Sequence, residues 1–403
     1  MKDIKKSFPL FTNQPDLVYL DSAATALKPA SVIMAETKYY EHYSSNIARG
    51  IYPLAEQATE AFEKTRTKVA AFIGARSEEI IFTSGTTASI NLAADLLASH
   101  VNEGDNIVIT AAEHHSNFLP WKELSKRKKA ELRIVPVTKD GLLDLVTFRA
   151  LVDDRTRVVS FGAVSNVLGI INPVKEVVHL AKEKNPDTFV IIDAAQAVGH
   201  IPVDVTAWNA DFIAFSGHKI FGPTGTGVLY GKHALLETLH PVSFGGGMVL
   251  DACAKETLYK EAPARFESGT PNIAGVIGLG QALEFIEMIG IDTIHAHENT
   301  LALLACQKLK EAFGEKVTII GADTPELRSG IVSFVLSDVH PHDTAHLLGE
   351  RNICIRAGLQ CAAPLHETLD LSATTRLSFS IYNTEEDIEK LIAGLQAVRE
   401  KIL

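Results

Sequence analysis

Lys219 is the residue whose surroundings most strongly suggest chemistry. It follows an apolar run at 212–215 and the segment Ser216-Gly-His218, and glycines at 217, 222, 225 and 227 allow the backbone to fold closely around it. A lysine at the end of a buried strand is costly if it stays charged and unpaired. One interpretation is an amine in a dry pocket that forms a Schiff base with a carbonyl compound. The alternative is a strand end whose lysine keeps its ammonium in water, and this stretch alone favours that alternative.

Other polar side chains also follow short apolar runs. The runs at 80–83, 106–110, 157–161 and 189–192 predict strands, and helical segments alternate with them. This alternation predicts an α/β fold with a mainly parallel sheet, in which ligands bind beyond the carboxyl ends of the strands. The residues at those ends are Thr86, His114, Asn166, Asp193, Gln196, His218 and Lys219. Packing explains one such residue, but the whole set on one edge predicts a binding site.

The segment Ser84-Gly-Thr-Thr87 predicts an anion site. It lies between a predicted strand and a predicted helix, where free backbone N–H groups and the helix dipole favour a phosphate. The alternative is a helix capped by a Thr or Ser side chain with no ligand, and this segment alone favours that alternative.

The domain organisation follows from length and pattern. A chain of 403 residues exceeds a single small core. We predict a short N-terminal arm at 1–16, a large domain at 17–285 and a smaller α+β domain at 286–403. The four cysteines, at 253, 306, 354 and 361, have no CxxC spacing, so neither a disulfide framework nor a metal site is expected.

Composition limits the partners. The net charge is −11 and no block of basic residues occurs, which argues against nucleic acid and anionic membrane surfaces. The N-terminus has no apolar run of signal-peptide length, and no apolar segment is long enough to span a bilayer. We therefore expect a cytoplasmic protein.

Four longer segments carry a family resemblance. They are Ser216-Gly-His-Lys219, Val190-Ile-Ile-Asp-Ala-Ala-Gln196, Glu113-His-His-Ser-Asn117 and Arg265-Phe-Glu-Ser-Gly-Thr-Pro-Asn272. With them the chain resembles the pyridoxal-phosphate enzymes of fold type I, in particular the class V aminotransferase superfamily. Within it, the chain is similar to SufS-type cysteine desulfurases, with selenocysteine lyases as near relatives. The resemblance implies a large, mainly parallel sheet domain with helices on both faces and a smaller α+β C-terminal domain.

The resemblance also implies how pyridoxal 5'-phosphate is held. Lys219 matches the Schiff-base lysine, Asp193 the partner of the ring nitrogen, and His114 the catalytic histidine stacked on the ring. Gln196 and Asn166 match residues that bond the ring oxygen. The implied phosphate ligands are Thr86, Thr87, Ser216, His218 and, from the neighbouring subunit of a homodimer, Thr270.

Two arginines match the family's substrate site. Arg376 matches the residue that pairs bidentately with the substrate carboxylate, a task suited to its planar fork. Arg356 matches a second active-site arginine, and Asn166 also lies on this side. The implied substrate is L-cysteine or a similar small amino acid.

Cys361 decides the implied reaction. It follows Arg356-Ala-Gly-Leu-Gln360, which matches the loop carrying the catalytic nucleophile. There a thiolate takes sulfur from cysteine and leaves alanine and an enzyme persulfide, which supplies iron–sulfur cluster or related biosynthesis through a sulfur-acceptor protein. The alternative is a buried small residue, but the Gly-flanked polar loop favours the functional interpretation.

Three positions depart from the family pattern. Ala48, Tyr52 and Gln360 stand where family members commonly have histidine. These departures leave two other functions open. One is selenocysteine lysis or another reaction of the same cofactor, and the other is a catalytically weak homologue that acts as a binding partner.

Overall fold

The structure is a computed structural model that describes residues 2–322 and 324–402. The strands are β1 (Val18–Tyr19), β2 (Ile80–Thr83), β3 (Asn106–Thr110), β4 (Glu131–Val135), β5 (Thr156–Gly162), β6 (Phe189–Asp193), β7 (Phe212–Ser216), β8 (Gly227–Gly231), β9 (Val249–Ala252), β10 (Thr257–Tyr259), β11 (Val317–Ile320), β12 (Ile331–Leu336), β13 (Ile353–Cys354), β14 (Arg356–Gly358) and β15 (Thr374–Ser378). The helices are α1 (Lys2–Lys5), α2 (Pro9–Asn13), α3 (Ala30–His42), α4 (Pro53–Ile73), α5 (Thr86–Leu97), α6 (His115–Lys128), α7 (Leu145–Leu151), α8 (Val174–Lys184), α9 (Val205–Trp208), α10 (His233–Thr238), α11 (Ile273–Ile289), α12 (Ile291–Phe313), α13 (Pro341–Gly349), α14 (Ala363–Thr368) and α15 (Glu385–Ile402).

The large sheet has seven strands in the order β2-β8-β7-β6-β5-β3-β4. Only β8 runs against its neighbours, so the prediction of a mainly parallel sheet is confirmed. Alternate residues of one strand enter different cores because successive side chains point to opposite faces. On β6, Val190 and Ile192 lie in one core and Ile191 lies in the other. Apolar layers therefore cover both faces, which explains the continuous apolar runs.

The second sheet is antiparallel, in the order β11-β12-β15-β14. Its core contains one apolar face of α15, including Ile388, Leu391 and Leu395. The two sheets lie on either side of the predicted domain boundary at 285, although β1 pairs in parallel with β13. The division into 1–16, 17–285 and 286–403 itself stays a prediction.

Helix α11 lies against α3 and α4 in the larger core. Within the described part of the chain, no single helix combines the length and apolarity needed to cross a bilayer. The pair Ile273–Ile289 and Ile291–Lys316 does so only together, across a bend of 77°.

A buried ion pair ties α4 to the segment that follows β10. The Arg66 guanidinium, in a residue only 5% exposed, donates to both carboxylate oxygens of Glu267 at 2.8 and 2.9 Å, and also to the Ile80 carbonyl at 2.7 Å. Glu267 accepts a further bond from the Phe82 backbone N–H at 2.6 Å. The pair thereby attaches the loop that carries Thr270 to the first strand of the large sheet.

Removing this guanidinium should destabilise the fold. Arg66→Met leaves Glu267 without its partner, and loss of one member of a buried pair costs about 3 kcal/mol. The exposed pair of Arg127 and Asp95 offers a matched control, because Arg127→Met removes only a surface interaction worth about 1 kcal/mol or less. Urea unfolding of both variants measures the difference, and equal losses would contradict the structural role of Arg66.

Candidate active site

A pocket of about 240 Å³ lies between the carboxyl ends of the large sheet's parallel strands and the second sheet. It brings together every predicted site residue except Thr270. Those lining the pocket are Thr86, Thr87, His114, Asn166, Asp193, Gln196, Ser216, His218, Lys219, Arg356, Cys361 and Arg376. Their assigned roles remain predictions, but their convergence is a property of the fold.

Lys219 ends a short 3-10 turn, Gly217–Lys219, directly after β7. This turn needs Gly217, because a Cβ there would lie 2.2 Å from the Thr226 hydroxyl oxygen. Burial, aided by the charges of Arg376 and Arg356 and opposed by Asp193, lowers the pKa of Lys219 to about 8. Within the described residues its amine has no hydrogen bond or ion pair. A far larger fraction of this amine than of an exposed lysine is therefore unprotonated near neutral pH and free to react.

Asp193 is the last residue of β6 and is 8% exposed. Its Oδ1 accepts a bond from the Ala195 backbone N–H at 2.9 Å. Burial raises the pKa of this carboxyl group, and the charge of Lys219 opposes the rise. Such a group gains from a cation beside it, which a protonated ring nitrogen would supply.

His114 caps the N-terminus of α6 through its side chain. Its Nδ1 accepts a bond from the Ser116 backbone N–H at 3.1 Å, so in the neutral ring Nε2 carries the hydrogen. Burial lowers its pKa to about 3, and the charge of Lys219 contributes to the same direction. The ring is therefore neutral at physiological pH, which suits stacking on an aromatic ligand.

His218 and Gln196 complete this side of the pocket. Burial, followed by the charges of Lys219 and Lys28, lowers the pKa of His218 to about 4, so this ring is also neutral. Gln196 donates one amide hydrogen to the Ala23 carbonyl at 2.9 Å, which fixes the orientation of its side chain.

The N-terminus of α5 forms another wall of the pocket. The N-cap residue is Gly85, so no Thr or Ser side chain of the segment 84–87 caps this helix. Thr86 and Ser216 are joined twice, because the Thr86 N–H and hydroxyl each lie 2.7 Å from the Ser216 hydroxyl oxygen. Thr87 and Ser116 hydroxyls lie 2.7 Å apart. Clustered hydroxyl groups at a helix start are the expected surroundings of a phosphate.

Gly227→Ala should disturb this helix start from the neighbouring strand. A Cβ at 227 would lie 2.4 Å from the Cα of Gly85, so β8 or the turn before α5 must move. We expect a loss of about 1–3 kcal/mol in the free energy of unfolding together with weaker binding of the expected phosphate-bearing cofactor. Gly349→Ala is the control because nothing lies within 4 Å of its new Cβ. Thermal melts and cofactor titration test this, and a Gly227→Ala variant identical to wild type in both would contradict it.

Arg376 and Arg356 are paired residues on the adjacent strands β15 and β14. Arg376 is 3% exposed and donates from Nη1 to the Asn166 carbonyl and from Nη2 to the Asp21 carboxylate, both at 2.9 Å. Its Nε is buried without a partner among the described residues. This guanidinium is held rigidly and retains unused donor capacity.

Asp21 is a site residue that the sequence interpretation missed. It is the counter-ion of Arg376, so it keeps a buried charge in place beside the pocket. The available signal was its position, directly after an apolar run and before four small residues.

Cys361 follows β14 in a turn where Gln360 and Cys361 both have positive φ, +50° and +58°. Its side chain is partly exposed and lines the pocket, which supports the functional interpretation over that of a buried small residue. Its carbonyl accepts a bond from the His115 N–H at 2.7 Å. The thiol is thus held near the same turn that positions His114.

Thr270 lies in a different pocket. That pocket, of about 380 Å³, also contains Ala48 and Arg49, and Thr270 accepts a 3.5 Å bond from the Asn46 amide. Of the three departures from the family pattern, only Gln360 lines the pocket of Lys219. Tyr52 is half exposed, and its hydroxyl lies 2.7 Å from that of Ser45.

These features define the class of the protein. Residues 18–391 match the family model described as Aminotransferase class-V. The chain belongs to that family.

Several more specific relatives are described as cysteine desulfurases. A probable cysteine desulfurase of Halalkalibacterium halodurans is 47% identical, over 99% of this chain and 98% of its own. One of Streptomyces coelicolor is 45% identical, over 98% and 96%. Among solved structures, the apo cysteine desulfurase of Thermococcus onnurineus has a TM-score of 0.93 at 38% identity, covering 99% of this chain and 97% of its own. The cysteine desulfurase CsdA of Escherichia coli has a TM-score of 0.91 at 35% identity, covering 100% and 98%. The likeness confirms the predicted fold class.

Proposed function

We propose that this chain is a cysteine desulfurase that depends on pyridoxal 5'-phosphate and supplies sulfur for iron–sulfur clusters or related cofactors. The observation that carries the proposal is the presence of Lys219, Asp193, Arg376 and Cys361 in one pocket. The first two suit a cofactor, the third an amino-acid carboxylate, and the fourth sulfur transfer.

The residues of the pocket fit this cofactor. The unpaired amine of Lys219 suits its aldehyde, and Asp193 suits its ring nitrogen. The neutral ring of His114 suits its aromatic face, and the hydroxyl-rich start of α5 at Thr86 suits its phosphate. When bound, the cofactor withdraws electrons from the attached amino acid.

Positively charged side chains define the part of the pocket that would bind the substrate. Arg376, with Arg356 beside it, would hold the carboxylate of L-cysteine, while Asp21 and the Asn166 carbonyl keep Arg376 from rotating. Lys219 would move the proton at the substrate Cα, because its pKa of about 8 allows both protonation states near neutral pH.

Cys361 would accept the sulfur. Its thiolate attacks the substrate sulfur, the S–S bond forms and the Cβ–S bond breaks, and the electron pair of that bond stays on carbon. A proton then converts this carbon to the methyl group of alanine, and Cys361 becomes a persulfide. Sulfur is oxidised and carbon is reduced, so the step needs no external oxidant.

We further propose a homodimer, a sulfur-acceptor protein and a cytoplasmic location. Ile51 is 95% exposed and Leu54 is 46% exposed, and both are close in sequence to Ala48, which lines the second pocket with Thr270. A second copy of the chain would cover this apolar surface and bring Thr270 towards its neighbour's site. Light scattering tests the dimer, and a monomer would contradict it. Trapping of labelled sulfur on a second protein tests the sulfur acceptor, and cell fractionation tests the cytoplasmic location.

The deciding assay is incubation of the purified protein with L-cysteine and a reducing thiol. We expect alanine and sulfide in equal amounts, and the appearance of neither would overturn the proposal. Selenocysteine and cysteine sulfinate should be assayed in parallel. Turnover of selenocysteine alone would make the chain a selenocysteine lyase, whereas a cofactor-loaded protein inactive on all three would be a binding partner.

Reloading of the cofactor-free protein should depend on pH through Lys219. Only the unprotonated amine reacts with the aldehyde, and the pKa of Lys219 is lowered to about 8 by burial. The rate of covalent loading should rise about tenfold per pH unit below that value and level off above it. Stopped-flow absorbance measures the rate, and a profile that still rises steeply above about pH 10, where a free lysine titrates, would be inconsistent with the lowered pKa.

A further inference from the structure

The loop that carries Cys361 is closed at both ends by buried side chains. We define residues 359–362 as the thiol loop. At its C-terminal end the Ala362 carbonyl lies 3.0 Å from Nδ1 of His366, and at its N-terminal end the Gly358 carbonyl lies 3.3 Å from the Thr374 hydroxyl. His366 Nε2 and Thr374 Oγ1 are 3.2 Å apart. The two side chains therefore form a continuous bridge between the ends of the loop.

This bridge is removed from solvent. His366 is 2% exposed and Thr374 is fully buried, so their bonds do not compete with water. A carbonyl only accepts, so Nδ1 of His366 carries the hydrogen that is donated to Ala362. In the neutral ring Nε2 is then an acceptor, and the single hydrogen of the Thr374 hydroxyl is shared between Nε2 at 3.2 Å and the Gly358 carbonyl at 3.3 Å. Burial lowers the pKa of His366, which favours this neutral arrangement.

The thiol loop itself needs such support. Gln360 and Cys361 both adopt the left-handed backbone region, which side-chain-bearing residues rarely adopt unless the surroundings enforce it. From the other side, the Asn166 amide donates to the Gln360 carbonyl and the His115 N–H donates to the Cys361 carbonyl, both at 2.7 Å. These two bonds attach the middle of the loop to the large domain, whereas the bridge attaches its ends to each other.

We propose that His366, acting through Thr374 and the two loop-end carbonyls, is a positioning residue that fixes the Cys361 thiol at the pocket. The inference rests on the proposed function of Cys361 as sulfur acceptor. His366 does not line the pocket, so it touches neither substrate nor cofactor. Its effect is to keep the thiol in one place, where attack on a bound sulfur needs no search over loop conformations. A protein that accepts this sulfur must then approach the thiol loop at its fixed position.

The test uses the holoenzyme with His366→Leu, which removes both imidazole bonds, and Thr374→Val, which removes only the hydroxyl. Thr368→Val is the matched control, because among the described residues this exposed hydroxyl on the same helix as His366 bonds only to the Pro364 carbonyl. His366→Asn retains a donor near the Nδ1 position and should restore part of the wild-type behaviour.

Iodoacetamide labelling of Cys361 without substrate, followed by peptide mass spectrometry, is the main readout. Opening of the loop should raise its labelling rate about fivefold or more in His366→Leu and Thr374→Val, while the exposed Cys253 in the same samples serves as an internal reference. We also expect kcat for alanine formation to fall about tenfold with little change in KM, because Arg376 is untouched. Cofactor absorbance should be unchanged.

Wild-type labelling and wild-type kcat in both variants would overturn the proposal, as would an equal effect of Thr368→Val. If His366→Leu fails to fold, Thr374→Val still decides. Labelling needs no turnover, so the two proposals can fail separately. If the variants label faster but the wild type makes no alanine, the desulfurase function is rejected and the role of the bridge stands.

Discussion

Lys219→Ala is expected to yield a folded protein that lacks the visible absorbance of a bound cofactor and makes no alanine from L-cysteine. Lys219 provides the only attachment that we assign to the aldehyde, and it also moves the substrate proton. Loss of a positioned acid–base group alone costs about 10²–10⁴-fold in rate, and loss of the attachment adds to this.

The folded state should tolerate the change. Burial lowers the pKa of Lys219, which means that the folded protein disfavours its charged form. Below the folded pKa the charge is present and unfavourable, so removing it relieves this electrostatic penalty at neutral pH. The cofactor-free variant should therefore melt at or above the temperature of the cofactor-free wild type.

Lys255→Ala is the control, because Lys255 is exposed between β9 and β10 and far in sequence from the pocket residues. Lys219→Arg tests whether a cation suffices, and we expect it to be as inactive as the alanine variant. Retention of dialysis-resistant absorbance by Lys219→Ala would contradict the assignment of this lysine.

Cys361→Ala should separate cofactor binding from sulfur transfer. The loop contact with His115 uses the Cys361 carbonyl rather than its thiol, so the backbone should keep its place. Cofactor absorbance should match the wild type, whereas alanine and sulfide from L-cysteine should fall by about 10³-fold or more, because the nucleophile is gone. Mass spectrometry of the wild type after one turnover should find one added sulfur on Cys361.

Cys253→Ala is the matched control, since Cys253 is exposed and does not line the pocket. It should keep full activity. Substantial desulfurase activity in Cys361→Ala would move the sulfur-accepting role elsewhere. Activity of this variant on selenocysteine, combined with wild-type indifference to cysteine, would favour selenocysteine lysis.

Much of the large sheet was predictable from the sequence because its signals are local. The apolar runs at 80–83 and 106–110 coincide with β2 and β3, because apolar cores cover both faces of each strand. The positions of Asp193 and Lys219 directly after such runs placed them at one edge. The antiparallel direction of β8 was not predicted, because strand direction depends on pairing partners rather than on composition.

The residues that the second sheet and its loops contribute to the site were harder to predict from the sequence. Arg376 and Cys361 were assigned through family resemblance, and Asp21 was not assigned at all. The bond between Asp21 and Arg376 spans 355 positions in the chain, and nothing in either segment alone encodes it. The bridge of His366 and Thr374 is similar, because an isolated histidine in an apolar helix has the same local pattern whether it supports a loop or merely packs.

The sequence by itself determined that strands end in a lysine, a carboxylate and a hydroxyl-rich turn, because burial and turn chemistry act over a few residues. The tertiary structure decided which of these ends meet, that Arg376 is held by Asp21 and Asn166, and that Cys361 is fixed beside Lys219 while Thr270 is not. Those outcomes depend on how the second sheet packs against the first. That packing is set by the sum of many distant contacts, so no single stretch of the chain specifies it.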